Sequence, residues 1–193
     1  MRNIVLLTVV SLLLVMSTGA RADIITGAID NGSGSEVVVG GLDEGVLAFI
    51  DRTYDWVSAP GYDTIADMGL VGADYIKLAN DDKNQADYEI DVTLSQDAKV
   101  FLFWDERASV NSWIAALGFT DTGDRVIGLD ALGDIYEHIV YTADLSAGTH
   151  TFGELGQSGS VSMYGIAAVP VPGAVLIGML GLSVVGVKLR KRA

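Results

Sequence analysis

The 193-residue chain has no cysteine, which excludes disulfide cross-links and thiolate metal sites in whatever compartment it works. It has two histidines, His138 and His150, and no H-E-x-x-H, G-x-S-x-G or phosphate-loop pattern. His138 reads as the start of a strand and His150 as part of a hairpin edge, Gly148 to Thr151, so both are expected to be structural. No internal repeat of useful length occurs. Helix signals are weak: Asp63 to Met68 could make one turn and Leu129 to Tyr136 another, the latter weakened by Gly128 and Gly133. Acids, by contrast, are abundant, 25 Asp and Glu against 12 Lys and Arg. A carboxylate pair for glycoside hydrolysis could therefore be drawn almost at will. The adjacent pair Asp105 and Glu106 would point to opposite faces of a strand. These features argue against an enzyme.

The charge is unevenly placed. Six of the cations (Arg2, Arg21, Lys188, Arg190, Lys191, Arg192) and none of the acids lie in the two chain ends, which leaves Asp23 to Val169 at −19. That field repels nucleic acid and anionic lipid, favours solubility, and suits neutral glycans or divalent cations as partners.

The ends carry an address. Met1-Arg2-Asn3, an apolar run from Ile4 to Met16 and the small-residue site Ala20-Arg21-Ala22 make a secretory leader over residues 1–22, cut by signal peptidase before Asp23. At the other end stand Pro170-Val171-Pro172-Gly173, an uncharged run to Val187 and a basic tip, Lys188 to Ala193. From Gly173 to Val187 a helix would cover roughly 22 Å, short of the roughly 30 Å hydrocarbon core, with Leu189 and a snorkelling Lys188 to extend it. The basic tip stays cytoplasmic and leaves the preceding domain outside. This arrangement, residues 169–193, resembles the sorting tail of PEP-CTERM proteins. Looser likeness to planctomycete-type members of unassigned function lies in Leu47 to Trp56, Gly72 to Lys83 and Trp113 to Thr122. The resemblance implies an exosortase-type membrane enzyme as partner, a cell-envelope, surface or matrix location, and association with extracellular polysaccharide or biofilm. PEP-CTERM tails usually carry an acid between the prolines, where Val171 stands here. A retained single-pass anchor is the rival location.

Between the ends, residues 23–168 are enough for one domain. Period-two alternation dominates: Tyr88, Ile90, Val92 and Leu94 share one face of a strand, with Glu89, Asp91 and Thr93 on the other. Ser95 to Ala98 then reads as the turn of a hairpin leading into Lys99 to Trp104, a central strand covered on both faces. Further strands are expected at Ile24 to Ile29, Glu36 to Val39, Val46 to Ile50, Asp74 to Leu78, Ser112 to Phe119, Asp124 to Ile127, His138 to Thr142, Thr149 to Phe152 and Ser160 to Ala167. The expectation is an all-β, single antiparallel sandwich of jelly-roll type.

Two constellations are candidate sites. Asn80 to Asp87 places Asp81, Asp82 and Asp87 in one loop with amide oxygens, the hard ligands that calcium takes, although the spacing is not that of an EF-hand. The loop reads first as a surface turn, and calcium is the one cofactor it could take. Trp56, Trp104, Asp105 and Arg107 are glycan-contact candidates, since an exposed indole packs on a sugar face while charged neighbours bond its hydroxyls; the other reading makes Trp104 and Trp113 core fillers, with Trp56 evenly placed between the two. The expected function is a non-enzymatic surface or matrix protein. The alternative is an envelope-anchored lectin or carbohydrate-acting enzyme.

Overall fold

Burial follows the alternation. In Ile90 to Leu94 the first, third and fifth side chains are buried, while Asp91 is exposed and Thr93 half-buried, as expected for a strand with one wet face. The computed structural model describes residues 22–157 and 159–171. The leader and the apolar run of the tail lie outside the described residues. Ten strands carry the chain among those residues: β1 (Ile25–Asp30), β2 (Ser35–Val38), β3 (Asp55–Val57), β4 (Asp74–Leu78), β5 (Ile90–Leu94), β6 (Ala98–Asp105), β7 (Thr120–Leu129), β8 (Ile135–Leu145), β9 (Gly148–Phe152) and β10 (Gly165–Pro170). A 3-10 turn, Asn80–Asn84, and one short helix, α1 (Ser112–Ala116), are the helical pieces described. No helix among the described residues is long and apolar enough to cross a membrane.

The strands form two antiparallel sheets, of order β1-β5-β9 and β2-β4-β10-β6-β8-β7-β3. The protein is thus all-β and two-layered. The larger sheet curls into a half-barrel, and residues 45–50 run between its ends. Trp56 N–H donates to Val46 O at 3.0 Å beside β3, and Ile50 N–H reaches Leu78 O of β4 at 3.1 Å.

Several local expectations are corrected. β5 and β6 do not form a hairpin: β5 pairs with β1 and β9, whereas β6 pairs with β10 and β8. The short link between them crosses from one sheet to the other, because each strand has buried side chains to place and the two sheets pack around them. Ser112 to Phe119 is α1 followed by a turn instead of a strand. Leu129 to Tyr136 is the β7–β8 hairpin instead of a helical turn, with the Asp130 carboxylate accepting from the Leu132 and Asp134 amides at 2.8 and 2.9 Å. Val46 to Ile50 makes isolated bridges, Leu47 to Asp55 and Phe49 to Leu78. Asp63 to Met68, by contrast, does make the single turn expected, with Met68 N–H bonding Thr64 O. Ser160 to Tyr164 leads into β10, which continues to Pro170, where Pro170 pairs with Ala98. The domain therefore extends beyond residue 168, and the Pro-x-Pro motif starts on a paired strand. Proline is accommodated there because it ends the strand.

Both faces of the larger sheet are packed. Adjacent residues of β6 point to opposite sides. On one side Phe103 meets Trp56 edge-on at 5.1 Å, and Trp56 also meets Tyr75 and His138. On the other Trp104 stacks on Tyr164 at 5.7 Å, and Trp113 bridges Trp104 to Phe152 of the smaller sheet. A strand covered on both faces should be nearly all apolar; six of the eight β6 side chains, Ala98 and Val100 to Trp104, are buried apolar groups.

The register also defines two poles. At one, Ser95 N–H bonds Ile24 O, its hydroxyl bonds Asp23 O at 2.6 Å, and Val171 N–H faces Asp97 O at 3.5 Å. The chain therefore enters and leaves the sandwich at the same turn. The opposite pole lies roughly 25 Å away, the length of β6 at about 3.3 Å per residue.

Candidate functional site

The tryptophans proposed as sugar platforms are not available as such. Trp56 and Trp104 are fully buried. The Trp56 indole N–H donates to Tyr75 Oη at 2.9 Å, and Tyr75 in turn bonds Ala48 O at 2.6 Å. Trp104 lies under α1 and Tyr164. The physical reason is volume: each ring buries some 150–250 Å², and the two faces of one sheet each need a large side chain. The third tryptophan, Trp113, is half-buried with its N–H on Glu154 O.

Asp105 and Arg107 do come together, at the far pole where β6 ends. Asp105 is fully buried. It accepts Arg107 N–H and Nε–H at 2.9 Å each, Arg107 Nη2 at 2.5 Å, and the Ser162 amide at 2.6 Å. Burial works to raise its pKa; the Arg107 fork, His138 and the two amides outweigh that and hold it below the usual carboxylate value. Arg107 lies over the Tyr136 ring at 4.7 Å. Tyr136 stacks on Tyr54 at 5.3 Å on a nearly parallel plane, a cation and two rings in series. His138, opposite Asp105 in the register, is buried and its pKa falls to about 4, chiefly by desolvation. Its Nδ1 faces Tyr136 O, and its Nε2 has no partner among the described residues.

Next to this cluster a second one was missed from sequence. Glu106 N–H bonds Glu137 O, which sets the two side chains beside each other. The hydrogen bond that the Glu106 carboxyl donates to Glu137 raises the Glu106 pKa and lowers that of Glu137, to which the Tyr62 hydroxyl also donates. Like charges in contact share one proton. The residues stand 31 positions apart in the chain, and only the β6–β8 pairing brings them together.

The calcium candidates Asp81, Asp82 and Asp87 do not converge, and among the described residues no group of three or more His, Asp or Glu side chains could hold a metal ion. Asp82 is buried and accepts the Ser33 amide and hydroxyl, the latter at 2.6 Å. Asp81 pairs with Arg52. Asp87 sits at φ +59, with its amide on Glu154 at 3.0 Å. Lys83 turns away to Val161 O at 2.6 Å. Two of the three carboxylates, Asp81 and Asp82, therefore already serve protein donors. A shallow pocket of about 190 Å³ lies nearby, lined by Ile29, Asp30, Asn31, Glu89 and Asp91. Of the sorting motif, Pro170 and Val171 are described and Pro172 and Gly173 lie outside the described residues.

No protein-family model matches this chain, and no curated protein does. Among solved structures it is similar to a β-glucuronidase from glycoside hydrolase family 2, at 15% identity and a TM-score of 0.59. The match covers 74% of this chain and 14% of that one. At this identity the likeness concerns the fold, an all-β sandwich, and transfers no residue.

Proposed function

We propose that this is a non-enzymatic, exported surface or matrix protein, sorted through its PEP-CTERM-like tail and associated with extracellular polysaccharide. The observation that carries this reading is the common entry and exit turn, Ser95 to Asp97, which holds Asp23 and Val171 side by side. A domain tethered there presents its opposite loops outward, as a display module requires. The jelly-roll relation of the sandwich is the finer form of the same reading. The far-pole chemistry supports a role without catalysis: Asp105 is held by Arg107, and the indoles of Trp56 and Trp104 are covered.

Mass spectrometry of the surface and medium fractions tests the proposal. The expected species begins at Asp23 and ends beyond Val171, because cutting at Val169 or Pro170 would require unzipping the end of β10 from β6. Full-tail protein confined to the inner membrane would instead establish the retained anchor.

A further inference from the structure

Sheet edges offer unpaired main-chain groups to other chains, and proteins blunt them with charge, brevity, bulges or cover. Three of the four edges here are blunted. β3 is three residues long and is flanked by residues 45–48. β2 is four residues long and carries Glu36. β1 has a register shift between Ile25 and Gly27, and the outward amide of Ile25 is taken by the Asp74 carboxylate at 3.0 Å. β9 is different. It lies in an uncharged run, Ser146 to Gly153, within a domain of net charge −19. Its pairing with β5 is regular from Gly148 to Phe152, and Thr149 and Thr151 are exposed. Beyond the bonds to β5, no main-chain group from Thr149 to Phe152 has a hydrogen-bond partner among the described residues.

We propose that β9 is a self-association edge, pairing antiparallel with β9 of a second copy about a two-fold axis at His150. The sequence is self-complementary there: Thr149-His150-Thr151 reads the same in both directions, so Thr149 of one copy faces Thr151 of the other. Threonine pairs are favourable cross-strand neighbours. The two three-stranded sheets merge into one six-stranded sheet, and a two-fold contact closes without growing into a fibre. A second copy is the occupant these features select, because the strand carries no charge and its one large apolar side chain, Phe152, is buried in its own sandwich, which leaves nothing with which to read a different partner. The copies repel through their net charge, so the dimer strengthens as salt rises.

The chain has no cysteine, so a single introduced thiol reports the axis directly. Opposed Cα atoms in an antiparallel pair lie about 4.5–5.5 Å apart, within the roughly 4.4–6.8 Å that a disulfide spans. Full-length His150→Cys under mild oxidation is expected to yield roughly tenfold more covalent dimer than Leu132→Cys, an exposed thiol at the β7–β8 tip. Adding Thr149→Lys and Thr151→Lys should abolish the excess. In the native background the same two lysines should shift sedimentation equilibrium from dimer to monomer, with the circular dichroism unchanged. Equal cross-linking at both thiols, or a dimer indifferent to the lysines, overturns the proposal. The second result would assign association to the tail.

Discussion

The two poles of the sandwich use carboxylates in opposite ways. At the entry pole Asp74, buried, accepts the amides of Ile24, Ile25 and Gly40 at 2.5–3.0 Å, and Asp97 accepts the Ala147 amide at 3.0 Å. These acids tie main chain to main chain and hold the chain ends in place. At the far pole Asp105 holds Arg107, Asp81 pairs with Arg52, and Glu106 lies against Glu137. There the carboxylates meet charged or titratable side chains as well as main chain, Asp105 taking the Arg107 fork together with the amides of Arg107 and Ser162. Much of the acidity that looked like ligand chemistry is therefore used as hydrogen-bond acceptors, and the buried His138 makes the far pole responsive to acid.

Substitutions can break this contrast. The largest effect is expected for Asp74→Ala, which strands three amides, two of them in the buried pair Ile24 and Ile25; at 1–3 kcal/mol for each unsatisfied donor the loss is about 4 kcal/mol. Urea unfolding at neutral pH measures it, and a loss below that of the far-pole variants would reverse the ranking of the poles.

Acid tests the far pole. Burial lowers the His138 pKa in the folded state to about 4, below its ordinary 6.5, so the unfolded chain binds the proton first. Stability is complete above pH 6.5 and declines as pH falls towards 4, by about 3 kcal/mol. Asp105, whose folded pKa is also depressed, adds to the loss only below the ordinary carboxylate value. His138→Phe should flatten the upper part of this profile. A profile unchanged by that substitution would assign the acid sensitivity elsewhere.

Arg107→Ala should cost about 2 kcal/mol, since it leaves the buried Asp105 charge with the amides of residues 107 and 162 alone. Lysine at this position should recover less than half, lacking the two-nitrogen fork. Smaller still, Asp82→Ala should cost about 1.5 kcal/mol through the Ser33 bonds, equally with and without calcium at matched ionic strength. A calcium-dependent share of that loss would make the loop an ion site after all. Asp81→Ala, on an exposed pair, should stay within about 0.5 kcal/mol.

Legibility followed the range of the interaction. Asp74 to Leu78 matches β4 end to end, and β5, β6 and β9 fall within one or two residues of their expected bounds, because alternation and turn residues are local signals. The failures have a common cause. Trp56, between Asp55 and Val57, looked like loop because a three-residue strand is too short to show a period. Asp105 and Arg107 were named together from proximity alone, while Glu137, Tyr62 and Tyr136 could not be attached to them without the β6–β8 register.

By itself the sequence determined the all-β class, the alternating faces, the absence of thiol chemistry and the concentration of acids between two basic ends; each depends on side-chain type and spacing along a few residues. Tertiary structure decided which sheet each strand joined, which tryptophans were covered and which carboxylates met a partner. A link as short as Ser95 to Asp97 can close a hairpin or cross between sheets. The buried faces it connects choose between these, and they are assembled from residues far apart in the chain, such as Met163, whose amide bonds Asn80 from 83 positions away.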